Sequence, residues 1–380
     1  MTKWNTKCRF FNDSRACDTL ASEGYDSCEE CKFSSPYSKK ILIIKLGALG
    51  DVLRTTPILH AVKEKYPESK IYWLIEDLYG EGEEMLENNP YIDKFLVLNA
   101  QNTLRLEQEK FDILFSLEIT TPATLLANIV QADEKYGYYF NEGATFCFNK
   151  GAEEYLETAF LTNKKLKNRK SYQELIFQAC ELPYNKEEII FELADASKKY
   201  AEEFRSKNNL KEKDKILGIN FSAGERWASK SLSSENLKEL VRRINSEYKI
   251  ILLGGPEEEQ KLKQISQELK NEGIAVVTNN PNNSVGEFAS ILSLCDKIIT
   301  TDSFALHLSL ALKKPTIALF FSTPYWEIED YGVVKKIYSP LLSKYFLSKN
   351  YSEELASSIS VQEILKELNL MAQNTNLQNK

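Results

Sequence analysis

Residues 45–57 read KLGALGDVLRTTP and follow the apolar run ILII, so the chain leaves a buried strand through Gly47 and Gly50 and then presents Asp51. The spacing rejects both common phosphate loops. A mononucleotide loop needs Gly-Lys-Ser/Thr at its close, whereas Gly50 is followed by Asp51 and Val52. A dinucleotide fingerprint needs GxGxxG, and only Gly47 and Gly50 stand in this turn. A carboxylate here would also repel phosphate, so the turn shows an acid to something other than an anion. Its structural alternative is a helix N-cap, but Thr56-Pro57 offers the better cap.

A second constellation suits an anion. Thr300, Thr301, Asp302 and Ser303 end one strand and open a helix, where free N–H groups and the helix dipole can receive a phosphate. Asp302 or Ser303 can equally serve as that helix's cap. His307 lies one turn further in, either packed or in contact with ligand. After the strand ILGINF, the polar loop SAGERWASKSLSSENL carries Arg226 and Lys230, and a lysine there can neutralise a diphosphate leaving group. Glu257 and Glu258 follow the Gly-Gly-Pro turn of LLGGPEEE, where they can accept from a ribose or sit favourably in a first helical turn.

Four of the seven cysteines, Cys8, Cys17, Cys28 and Cys31, fall within the first 31 residues. Cys28 and Cys31 have the CxxC spacing that chelates one ion, and the other two complete a tetrahedral sulfur set. A segment this short and polar needs a staple to fold. Zinc is the first choice and a rubredoxin-like iron the second. Four sulfurs close the coordination sphere, so the expected role is structural.

The elements that must position these residues read as two lobes, which 380 residues with 43% hydrophobic content can support. In the first half, strands are predicted at 41–45, 70–75, 94–97 and 112–116, with a helix beginning at Thr56-Pro57. Residues 150–215 read as charged and mostly helical. The second half alternates strands at 216–221, 250–253, 274–278, 297–300 and 316–321 with helices at 234–248, 257–270, 285–294 and 303–312. This is parallel α/β architecture, whose ligands bind at the carboxyl edge of the sheet. The tail MAQNTNLQNK reads as frayed. A net charge of −7 argues against a nucleic-acid binder working through a bulk basic surface. The one basic run, Lys164 to Lys170, is a solvated loop or a contact for a phosphorylated acceptor. The chain shows no apolar leader and no spanning stretch, so a cytosolic protein is expected, with peripheral membrane contact compatible.

Four blocks together, IIKLGALGDVLRTTPILHAVKEKYP, SKSLSSENL, LLGGPEEE and TTDSFALHLSLALKKPTIALFFSTP, resemble glycosyltransferase family 9, the lipopolysaccharide heptosyltransferases, from about residue 41 to 324. The resemblance implies a GT-B fold: an acceptor-binding lobe and a nucleotide-binding lobe, two Rossmann-like domains facing across a cleft. It implies inverting transfer from ADP-heptose with no catalytic metal. Asp51 matches the proposed general base, with Gly47, Gly50 and Arg54 in its acceptor-side loop. A carboxylate opposite a leaving diphosphate suits an oxocarbenium-like transition state. By the same resemblance Lys230 contacts the donor phosphates, Glu258 sits by the ribose, and Asn283 and Ser284 lie near the base. Thr301 and the Asp302–Ser303–Phe304 backbone, with His307, cradle the diphosphate.

The chain departs from the family at Phe304 and at Phe320-Phe321-Ser322-Thr323, where relatives carry glycine and Phe-Gly-Pro-Thr. Glycine admits close backbone approach and phenylalanine does not, so the donor pocket or donor sugar is expected to differ. A metal finger occurs in relatives that glycosylate proteins, which adds a protein to a lipopolysaccharide-core-like saccharide as an expected acceptor. The domains expected are a small four-cysteine metal finger at 1–38, an acceptor lobe at 39–195, a donor lobe at 196–345, and a C-terminal helix and tail at 346–380. The rivals are a transferase of this fold using another nucleotide sugar, a non-catalytic saccharide-binding scaffold, and a dehydrogenase with Glu76 or Asp77 as its ribose acid.

Overall fold

The computed structural model describes residues 4–12, 15, 17–77 and 80–378. The first sheet contains β1 (Lys39–Ile44), β2 (Ser69–Ile75), β3 (Lys94–Val97), β4 (Lys110–Ser116), β5 (Gln131–Asn141) and β6 (Ala144–Cys147). Its order is β3-β2-β1-β4-β5-β6, parallel except for the antiparallel β5–β6 hairpin. The second sheet contains β7 (Ile216–Asn220), β8 (Lys249–Leu253), β9 (Val277–Thr278), β10 (Lys297–Thr301), β11 (Thr316–Phe320) and β12 (Val334–Tyr338). Its order, β12-β11-β10-β7-β8-β9, repeats the topology of the first, and each sheet reverses strand order beside its first strand. That reversal opens a crevice at the carboxyl ends, where open α/β sheets take ligands.

The inner strands read as apolar runs because helices cover both sheet faces. Ile41, Ile43, Ile71 and Trp73 point to one face of the first sheet, and Leu42, Ile44, Tyr72 and Leu74 to the other, all of them buried. The lobes share a core: Val52, Leu53 and Ile58 of the first lie in one buried cluster with Leu306 and Leu308 of the second. The helix Leu49–Leu53, directly after β1, packs against the helix Phe304–Ala311 after β10.

Several expectations are corrected. Thr56 is no cap: the helix Ile58–Lys65 begins without a side-chain cap, and the Thr56 hydroxyl donates to Leu53 O and accepts from Ile190 N–H instead. Strands β5, β6 and β12 lie outside the expected set, because β6 and β12 are half-exposed edge strands and β5, although interior, is mostly part-exposed, so none reads as an apolar run. The C-terminal tail is not frayed through its length, since a helix runs Val361–Gln378, and its Ile364 and Leu368 join the core of the second lobe.

Candidate active site between the lobes

The interlobe cleft collects residues from both carboxyl edges, among them Gly47, Gly50, Asp51 and Arg54 from the first lobe and Lys230, Asp302 and His307 from the second. Asp51 occupies the first turn of the helix Leu49–Leu53, with Ala48 as N-cap, so its carboxylate is free of capping duty. It pairs with Arg54 Nη2 at 2.8 Å while 38% of the side chain stays exposed. Burial alone would raise its pKa, but Arg54 first, then Lys45 and His307, hold the carboxyl below its ordinary value. Arg54 in turn lies over the Tyr172 ring, 3.8 Å from its centroid.

Across the cleft, Lys230 Nζ donates to Asp302 Oδ2 at 2.8 Å and to Asp302 O at 3.2 Å. The Asp302 carboxylate also accepts from Thr323 Oγ1 at 2.6 Å, and although burial opposes its charge, Lys230 keeps it well below the carboxylate range. Ser303 stands at the N-cap of the helix Phe304–Ala311 without capping it, since its hydroxyl turns to Asn220 Oδ1 and Thr300. The helix's first N–H groups therefore lack a side-chain cap at the cleft. Thr301 was expected beside the donor, but its side chain is fully buried in β10 and lines neither cavity.

His307 is buried, 7% exposed, and burial with the Arg54 charge pushes its pKa down to about 4, so it is neutral near pH 7. Its ring lies directly on Gly50: a Cβ there would stand 2.6 Å from His307 Cδ2. That contact seats the Asp51 helix on the Asp302 side of the cleft.

A second chamber adjoins the first. Both are bounded by Leu49, Ala223, Ser303 and Phe304, which form a neck between them. Glu258, Asn283 and Ser284 line this second chamber as expected, yet their side chains are engaged. Glu258 accepts from Gly224 N–H and Gly255 N–H, each at 3.0 Å, tying the Gly224 loop to the Gly-Gly-Pro turn. Asn283 donates to Tyr200 and Glu287. Ser284 caps the helix Val285–Leu294 and donates to Glu84 of the first lobe at 2.6 Å.

The basic run does not form an open anion patch. Lys164 pairs with Glu157 and Lys165 with Glu327, Lys170 binds Glu154, and Arg169 lies over the Trp326 ring. The four N-terminal cysteines line one small cavity together with Phe10, Phe11 and Phe33. Among the described residues no set of three His, Cys, Asp or Glu side chains stands in metal-holding geometry. This segment docks at the amino-terminal ends of the first sheet, through Arg9 to Ser69 O and Asp93, on the side away from the cleft. Two residues that the sequence reading passes over, Glu118 of the cleft wall and Lys45 behind it, form a buried pair at 2.6 Å. A charged residue closing an apolar strand was the signal in both cases.

The model of glycosyltransferase family 9 (heptosyltransferase) matches residues 103–352. Lipooligosaccharide heptosyltransferase 2 of Campylobacter jejuni is 24% identical over 301 residues, 75% of this chain and 83% of that protein. Among solved structures, a family 9 glycosyl transferase of Veillonella parvula superposes with a TM-score of 0.71 at 19% identity, covering 88% of this chain and 98% of that one. The ADP-heptose lipopolysaccharide heptosyltransferase II of E. coli superposes with a TM-score of 0.64 at 15% identity, covering 89% and 99%. The pairing of two like-wound lobes is thus shared with both.

Proposed function

We propose that this chain, which belongs to glycosyltransferase family 9 and is a glycosyltransferase, moves a heptosyl group from ADP-heptose to a saccharide of a lipopolysaccharide-type core. The observation that carries the reading is the opposition of Asp51 on one lobe to Lys230 and the uncapped helix start at Ser303 on the other, across one cleft. The nucleoside would occupy the chamber behind Phe304, with the diphosphate passing the neck toward Lys230. Its negative charge would draw Lys230 from Asp302 and accept from the N–H groups that open the helix.

In the transfer, Asp51 takes the proton of the acceptor hydroxyl as that oxygen bonds the anomeric carbon. The bond from that carbon to the diphosphate oxygen breaks on the opposite face, and ADP leaves with the electron pair, so configuration inverts. A carboxylate of low pKa can serve, because the hydroxyl becomes strongly acidic as it bonds an oxocarbenium-like carbon. His307, being neutral, adds a hydrogen-bonding ring without adding charge.

The N-terminal segment is proposed to hold one structural zinc or iron through Cys8, Cys17, Cys28 and Cys31. Support comes from the four sulfurs sharing one cavity walled by phenylalanines, a donor set that suits a soft tetrahedral ion. The ion would staple the segment, and no step of the transfer passes through it. A saccharide acceptor carried on lipid would place the enzyme against the cytoplasmic membrane face; among the described residues no helix is long and apolar enough to cross a membrane.

The deciding experiment is calorimetry against ADP, UDP, GDP and CDP, followed by turnover of ADP-heptose with heptose-deficient core oligosaccharide. Selective ADP binding with transfer supports the reading. Preference for another nucleotide discards the donor, and nucleotide binding by none of the four discards the catalytic role.

A further inference from the structure

Lys45 follows β1 and Glu118 lies just beyond β4, the two strands that flank the strand-order reversal of the first sheet. Lys45 Nζ lies 2.6 Å from Glu118 Oε2, with the two side chains only 2% and 9% exposed. The other Glu118 oxygen accepts from Ile119 N–H at 3.1 Å. Glu118 borders the cleft and Lys45 does not, so the lysine stands behind the carboxylate.

The second lobe carries a comparable pair: Lys230, in the loop after β7, and Asp302, directly after β10, pair at 2.8 Å, and both border the cleft. A buried ion pair is a poor means of stabilising a fold, since apolar residues of similar volume serve as well or better. In the second lobe the pair borders the helix start that suits the donor. By the same topology, the pair in the first lobe borders the place left for the acceptor.

The chemistry of that wall is acidic. Asp51, Glu76 and Glu118 line it, while Arg54 and Lys165 are already paired with Asp51 and Glu327. We infer that Glu118, held in place by its ion pair with Lys45, binds a second hydroxyl of the acceptor beside the one that Asp51 deprotonates, so the acceptor at this wall is a neutral polyhydroxyl sugar unit rather than a phosphorylated one. The inference rests on the transferase reading. Glu118 touches the substrate, and Lys45 is a positioning residue.

The test uses the full chain saturated with ADP and two probes, methyl heptopyranoside and its phosphate monoester, with binding read by saturation-transfer NMR. The expected result is that the neutral glycoside binds more tightly and that Glu118→Gln weakens it by about tenfold or more, the effect of losing a charge-assisted hydrogen bond. ADP affinity should not move. The pair Lys45→Met with Glu118→Gln leaves no buried charge uncompensated, so it should fold and show the same loss. Lys45→Met alone should weaken glycoside binding while ADP affinity holds, and Lys45→Arg, which keeps a cation behind the carboxylate, should recover much of it. A lysine that only supported the fold would lower the affinity for ADP and glycoside together. Tighter binding of the phosphate monoester, binding of neither probe, or an unchanged Glu118→Gln would overturn the inference. Failure of the wild-type chain to bind ADP would instead overturn the transferase reading.

Discussion

Gly50→Ala probes whether the two halves of the site must meet as closely as they do. Gly50 lies inside the helix Leu49–Leu53, where alanine is intrinsically better than glycine by about 0.5–1 kcal/mol, so a loss has to come from what the methyl group meets. It meets His307, with Cδ2 at 2.6 Å and Nε2 at 3.3 Å. Carbon atoms pack at about 3.5 Å, so the shortfall is about 0.9 Å. The imidazole is 7% exposed, so the packing around it opposes its displacement. The helices must therefore separate by most of that distance, carrying Asp51 away from the donor side. A displacement of about 1 Å at a reacting centre costs on the order of 100-fold in rate. The expected result is a kcat lowered about 100-fold, with a stability loss of about 1–3 kcal/mol from the overpacked contact. In a His307→Ala background the same methyl group should cost less than about threefold, because its obstacle is gone. Wild-type kcat in Gly50→Ala would refute the claim that this contact sets the alignment.

Asp51→Asn should lower kcat by about 10²–10⁴-fold while calorimetric ADP affinity holds, and an unchanged kcat would remove Asp51 from the proton-transfer role. Arg54→Gln removes the foremost charge that holds the Asp51 pKa down, so the acid limb of the kcat profile should move to higher pH; a limb that stays put means another group titrates. For His307 the folded pKa of about 4 lies below the ordinary 6.5, so the unfolded state binds more protons between these values. Stability should therefore fall as pH drops from about 6.5 to about 4, by on the order of 3 kcal/mol, and level off below. Urea titrations of His307→Asn should show that part of the slope gone. Metal analysis of the purified chain should find about one zinc or iron per protein, lost in Cys28→Ser with Cys31→Ser, without change in ADP affinity.

What was legible in the sequence is what local pattern determines. Fully buried parallel strands such as Ile41–Ile44 and Ile250–Leu253 declare themselves as apolar runs, and the glycines and acid of the first turn stand where the chain leaves the sheet. What was missed is tertiary. Thr56 reads as a cap in the sequence because nothing local reveals that Ile190, 134 residues on, needs its oxygen. Lys45 and Glu118 are 73 residues apart and meet only because β1 and β4 are neighbours. Asn283 and Ser284 stand at the expected chamber, but the carboxylates of Glu287 and Glu84 that occupy their side chains come from the helix and from the other lobe. Spacing places a residue at a site; it does not tell which of its hydrogen bonds are already spent.

The neck between the chambers links these observations. Leu49 forms its wall on the first lobe and Phe304 on the second. Leu49 begins the helix that carries Asp51, and Phe304 begins the helix that carries His307. A donor whose diphosphate threads this neck would press on both helix starts at once. A single ligand contact would then register the base, the neutral imidazole and the leaving-group cation against one another. Phe304 fits that arrangement, because its bulky ring narrows the passage that a smaller residue would leave loose. The same ring would stand between the proposed nucleoside chamber and the reacting sugar. Discrimination among donor sugars should therefore reside at this neck, whereas discrimination among acceptors belongs to the acidic wall across the cleft.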